Sequence, residues 1–184
     1  MTGSASGGRE GIRSGTENAV RMVVLGIDPG LANCGFGVVL RRGNRLLAAD
    51  GGVIETAAGL APERRLALLH ARVGALIDEH SPDAVALEAL YFGQNVRTAF
   101  GVGQARGAVM LAAGQRGVAC VDYTPQQVKG AVCGAGRADK GQVARMVQAL
   151  LSLPEPPRPD HAADALAVAI CHANHAPMAM AVAG

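Results

Sequence analysis

The sequence predicts a single α/β domain, a mixed five-stranded sheet with helices on both faces. Three observations predict it. Short apolar runs and helical periodicities follow one another in the order βββαβαβαα, with no internal repeat. Two of the apolar runs end on a carboxylate, "VVLGID" on Asp28 and "AVALE" on Glu88. With 184 residues, of which 49% are hydrophobic, the chain can build one sizeable core.

Residues 22–27, 35–40 and 45–54 read as strands, with turns at Gly30 and at Gly43-Asn44, so the domain opens as an antiparallel meander. Pro62 begins a helix over 62–80, with Leu66, Leu69, Val73, Leu76 and Ile77 at helical spacing, and Ser81-Pro82-Asp83 ends it. Residues 84–88 form a short buried strand. A helix rich in small residues follows over 97–115, then a strand over 118–121. Thr124-Pro125-Gln126-Gln127 has the order of a capping box with Pro at the first helical position. After a Gly-rich loop, a helix from Lys140 to Leu151 is expected to bury Val143, Met146, Val147 and Leu150. "PEPPRP" is a stiff connector, and the last helix starts at "DHAADALAVAICHA". The expected organisation is a disordered extension over 1–21, the domain over 22–176 and a flexible tail over 177–184.

No apolar run reaches the ~20 residues that a bilayer span needs, and the Gly/Ser-rich start lacks a signal-peptide core. Cys34, Cys120, Cys133 and Cys171 are far apart, without a CxxC pair, which indicates neither a zinc site nor a disulfide framework. They read as small buried hydrophobes in a reducing cytoplasm. The net charge of +2 is unevenly spread. Residues 91–151 carry seven cations (Arg97, Arg106, Arg116, Lys129, Arg137, Lys140 and Arg145) against Asp122 and Asp139, an excess that suits an anionic partner. Lys129 and Lys140 are the only lysines in the chain.

A carboxylate at the end of a buried strand is costly unless something pairs with it. If the strands ending on Asp28 and Glu88 are neighbours, both acids emerge at one sheet edge, where α/β sheets place ligand sites. Asp164 lies one turn after His161, on the same side of the last helix. Asp28, Glu88, His161 and Asp164 together make a set that suits Mg²⁺ or Mn²⁺. Three of them have a plainer reading as well: Asp28 as a turn residue, Glu88 and His161 as surface groups. Asp160, directly before the helix, is expected as its N-cap.

The blocks "LGIDPGLANCGFGVV", "ALEALYFGQN", "GQARGAV", "QQVKGAVCGAGRADKGQV" and "DHAADALAVAICH" resemble, in order and spacing, those of the RuvC Holliday-junction resolvases, from about Met22 to His175. The resemblance implies an RNase H-like fold, a homodimer and a crossover junction endodeoxyribonuclease of homologous recombination and DNA repair. Such an enzyme nicks two like-polarity strands symmetrically, leaving ligatable 5′-phosphate and 3′-hydroxyl ends. It also implies two Mg²⁺ or Mn²⁺ ions per site. Asp28 would bridge them, Glu88 would hold the ion that activates water, and Asp164 and His161 would serve the other. His161 stands where some members have Asp and others His. Lys129 and Lys140 match lysines near the scissile phosphate, and Arg97, Arg106, Arg137 and Arg145 are further, weaker phosphate candidates. Of Tyr91 and Phe92, Tyr91 is favoured as the aromatic that wedges into the junction. A RuvA–RuvB branch-migration complex is the partner implied. The small-residue helix 97–115 suits either a dimer contact or packing on its own sheet. An actin-like ATP-binding loop is disfavoured, because "GIDPG" continues with Leu31-Ala32-Asn33 rather than Thr or Ser. An RNase H-type hybrid nuclease and a catalytically dead binding module are the other rivals.

Overall fold

A computed structural model describes residues 21–89 and 96–182. Tyr91, Phe92 and the expected N-terminal extension through residue 20 lie outside the described residues. The chain runs β1 (Arg21–Asp28), β2 (Asn33–Arg42), β3 (Arg45–Glu55), α1 (Pro62–His80), β4 (Ala84–Glu88), α2 (Val96–Gly114), β5 (Ala119–Tyr123), α3 (Pro125–Cys133), α4 (Lys140–Leu151) and α5 (Asp160–Val182). The segment expected as a tail is therefore helical as far as Val182. The sheet order is β3-β2-β1-β4-β5. β1–β2–β3 form the antiparallel meander, and β4 and β5 run parallel to β1.

Side chains alternate across a strand, and the two faces of this sheet have different helical covers. Val23, Leu25 and Ile27 of β1 join Val85 and Leu87 of β4 against Leu69, Val73 and Ile77 of α1 and Ala105, Val109 and Ala112 of α2. Val24 and Ala86 face the other way, against α3, α4 and α5. Asp28 and Glu88 share the parity of Val24 and Ala86, so both carboxylates emerge on the α3–α5 side.

That side is built around very close packing of α5. A β-carbon on Gly26 would overlap the Ala165 carbonyl, and one on Gly35 would overlap the His161 carbonyl. A β-carbon on Gly37 would lie 2.7 Å from the Leu166 side chain. Glycine at these positions lets the backbone of α5 lie directly on β1 and β2. Almost every residue of α5 from Ala162 to Ala173 is buried, and small alanines make that possible.

Three local expectations change. In α4 the buried positions are Val143, Val147 and Leu151. They fall on one i, i+4 row, whereas Met146 and Leu150 stand about 100° away around the helix and are less covered. Asp160 is the first residue of α5, not its cap. The Pro159 carbonyl accepts from Ala163 N–H, so Pro159 holds the cap position. β5 starts at Ala119 and reaches Tyr123, where it pairs with Glu88. Cys34 and Cys171 are buried, Cys120 and Cys133 are half-buried, and all four are free thiols. No described helix is long and apolar enough to cross a membrane.

The close approach of α5 is testable by Gly26→Ala. The added methyl meets α5 backbone that cannot yield cheaply, which costs about 3 kcal/mol. Thermal unfolding should show a fall in Tm of roughly 6–12 °C; a change within one degree would contradict the packing described.

Candidate active site

β1 and β4 are parallel neighbours, with Ile27 opposite Leu87, so the next residues, Asp28 and Glu88, end side by side at one sheet edge. α5 crosses above that edge and brings His161 and Asp164 over it. The Nδ1 of His161 donates to Asp28 Oδ2 at 2.7 Å, which leaves Nε2 as the ring nitrogen open to a ligand. Lys140 Nζ lies 3.4 Å from Asp164 Oδ2. Lys129 stands on α3, whose start is fixed by a complete Thr124–Gln127 capping box. Lys140 opens α4, whose start is fixed by a second box, Asp139–Gln142, that the sequence reading did not identify. Asp28, Glu88, Lys129, Lys140, His161 and Asp164 all line one cavity of about 370 Å³.

The electrostatics of this cavity are those of crowded negative charge. Burial pushes the Glu88 carboxyl up to about 7, and the nearby Asp28 and Asp164 charges add to the rise; Lys140 and Lys129 oppose it. Burial also raises Asp164, against the pull of Lys140. Asp164 in turn holds the Lys140 ammonium above its ordinary value. Carboxylates held this close favour a divalent cation. Among the described residues, no three His, Cys, Asp or Glu side chains already stand in a metal-holding arrangement. His161 is hydrogen-bonded to Asp28 and Lys140 reaches Asp164 instead. The donor set, three carboxylates and one imidazole, nevertheless fits Mg²⁺ or Mn²⁺.

The remaining candidates divide. Arg106 is engaged within the protein. Its guanidinium is paired with both oxygens of Asp122 on β5, and it donates to the Glu88 carbonyl at 3.3 Å. It therefore ties the end of β4, and with it Glu88, to β5. Arg137 is exposed on the α3–α4 loop and does not line the cavity. Arg97 is the second residue of α2, and nothing further of it is described. One supporting group escaped the sequence reading altogether. Thr56, just after β3, is buried; its hydroxyl donates to the Leu31 carbonyl and accepts from Arg65 Nε, and its N–H bonds the Ala32 carbonyl. These bonds fasten the turn that follows Asp28. No residue pattern announces them, because the pairing spans β3, α1 and the β1–β2 turn.

Comparison with known proteins places the chain among relatives of one kind. The family model described as "Crossover junction endodeoxyribonuclease RuvC" matches residues 24–172. A protein of that name from Moorella thermoacetica is 53% identical over 156 residues, covering 85% of this chain and 93% of the relative. The structure of Thermus thermophilus RuvC in complex with a Holliday junction substrate is 43% identical, with a TM-score of 0.83, covering 86% of this chain and 96% of that one. The yeast mitochondrial Holliday junction resolvase Ydc2 is 14% identical, with a TM-score of 0.59 over 80% of this chain and 77% of that one, a likeness of fold alone.

The raised Glu88 carboxyl has a consequence for stability. Its proton is held more tightly in the fold than in the unfolded chain, so its contribution is complete below about 4.5 and is lost as pH rises through about 7. In chelator, Glu88→Gln should therefore raise Tm by roughly 3–6 °C at pH 8 and by much less at pH 5. Equal effects at the two pH values would show that Glu88 is not under this repulsion.

Proposed function

The chain belongs to the RuvC family of crossover junction endodeoxyribonucleases and is a Holliday-junction-resolving endonuclease, and we propose that Asp28, Glu88, His161 and Asp164 hold the metal for its cut. The observation that carries this reading is the convergence of these four side chains, from β1, β4 and α5, on one cavity that also contains both lysines of the chain.

Phosphodiester hydrolysis requires an activated water and relief of the charge that develops on the attacking and leaving oxygens; two bound Mg²⁺ or Mn²⁺ ions supply both. Asp28, between Glu88 and the α5 pair, is suited to be shared by both ions. Glu88 would hold the ion that activates water, and Asp164 and His161, through its Nε2, would serve the other. Lys129 and Lys140 orient the scissile phosphate as compact point charges. Lys140, now 3.4 Å from Asp164, would exchange that contact for a phosphate oxygen. The product is a nick with a 5′-phosphate and a 3′-hydroxyl, which a ligase can seal.

Paired nicks in a two-fold symmetric junction call for two such sites, and a C2 homodimer provides them. α2 supports this assignment. Ala105, Val109 and Ala112 pack on the sheet, whereas Phe100, Met110 and Leu111 are exposed, Phe100 at 68%. Such an apolar face suits a second copy of the chain. Tyr91 as the junction wedge, a RuvA–RuvB partner and a cytoplasmic setting complete the reading.

Asp28→Asn tests it. Incubated with a labelled mobile four-way junction and Mn²⁺ or Mg²⁺ at low salt, the wild type should make paired symmetric nicks, and a chelator should stop them. The variant should bind the junction but cut it at least 100-fold more slowly. Cutting by Asp28→Asn near the wild-type rate would overturn the assignment.

A further inference from the structure

His161 borders more than the carboxylate cavity. It also lines a groove of about 790 Å³ between the start of α4, at Gly141, Ala144 and Arg145, and the connector Pro156-Pro157-Arg158-Pro159 that enters α5. The groove and the carboxylate cavity therefore adjoin through one side chain.

Two arginines line this groove, and both are exposed. Four other guanidiniums among the described residues are engaged within the protein. Arg41 and Arg65 donate to backbone or hydroxyl oxygens, and Arg106 and Arg116 are paired with Asp122 and Asp78. Among the described residues, Arg145 and Arg158 have no carboxylate partner. Two carboxylates lie near them. Asp139 is engaged in capping α4 through Gln142 N–H. Asp160 also lines the groove, so its lining side chains set two guanidiniums against one carboxylate. The groove thus keeps an excess of positive charge beside a site whose substrate is a polyanion. Gly141 keeps one wall low, and proline rings stiffen the other, so little order has to be imposed when a strand enters. A guanidinium fork matches two phosphate oxygens, which an ammonium does not.

We propose that this groove is a second phosphate subsite, in which Arg145 and Arg158 hold the backbone of the cleaved strand where it leaves the carboxylate cavity. The proposal rests on the junction-nuclease reading above. The lysines act on the reacting phosphate, and the arginines fix the register of the strand that contains it.

The test compares the full-length wild type with Arg145→Ala/Arg158→Ala, Arg145→Lys/Arg158→Lys and Arg45→Ala. Arg45 is an exposed cation at the opposite end of the sheet from Asp28, so it shows what loss of one charge far from the groove does by itself. Junction Kd is measured in chelator across a salt series, and cutting by the wild type is measured separately with Mn²⁺. The double alanine variant should bind roughly tenfold more weakly at 0.1 M salt. Its slope of log Kd against log salt should fall by about 1.4–1.8, two phosphate contacts' worth. The double lysine variant should retain most of the slope, and Arg45→Ala should behave as wild type. A double alanine variant with wild-type Kd and slope would overturn the subsite, as would an equal loss in Arg45→Ala. Absence of cutting by the wild type would instead strike at the nuclease reading itself.

Discussion

The site depends first on how closely α5 can lie against the sheet. At Gly26 and Gly35 no side chain separates the α5 backbone from strands β1 and β2, the Leu166 side chain lies over Gly37, and the alanines of α5 keep the helix close from the other side. A helix normally packs on a sheet at a distance set by its side chains. Here that layer is absent where α5 crosses Gly26 and Gly35. His161 and Asp164 are carried down to the level of the strand ends, within hydrogen-bonding distance of Asp28 in the case of His161. The same glycines that weaken these strands as strands are what allow two segments more than 130 residues apart to share a site.

Charge then shapes what the packing has brought together. Three carboxylates share a partly buried cavity, and the cost shows in Glu88, which keeps its proton to about pH 7. Lys140 and Lys129 offset part of that cost without neutralising it. The balance is suited to a divalent cation. The arginines form a different population. Arg106 and Arg116 are paired with carboxylates, and through Arg106 the strand that carries Glu88 is tied to its neighbour. Arg106 thus stiffens the edge that carries Glu88, while Lys129 and Lys140 charge the cavity itself.

Much of this was legible in the sequence, for physical reasons that particular residues make plain. The strands and helices announced themselves through period, Pro62 and the Thr124 box, because these signals are local. The pairing of Asp28 with Glu88 followed from two apolar runs ending alike, since parallel neighbours must end at the same edge. Other features were not legible because they depend on partners remote in the chain. Arg106 reads as one more cation until β5 brings Asp122 beside it. Thr56 reads as an ordinary turn residue until α1 supplies Arg65. Met146 and Val147 are equally apolar, and only the orientation of α4 decides which is buried. Asp160 has the composition of a cap, but the helix begins one residue earlier than composition suggests.

The central claim is that a helix laid directly on the sheet gathers Asp28, Glu88, His161 and Asp164 into one divalent-cation site. Crystals of the protein soaked in Mn²⁺ and measured for anomalous scattering test it most directly. The account predicts a manganese peak in the cavity between the ends of β1 and β4 and the first turn of α5. A fully soaked crystal with that cavity free of manganese, or with the metal bound elsewhere by other side chains, would contradict it.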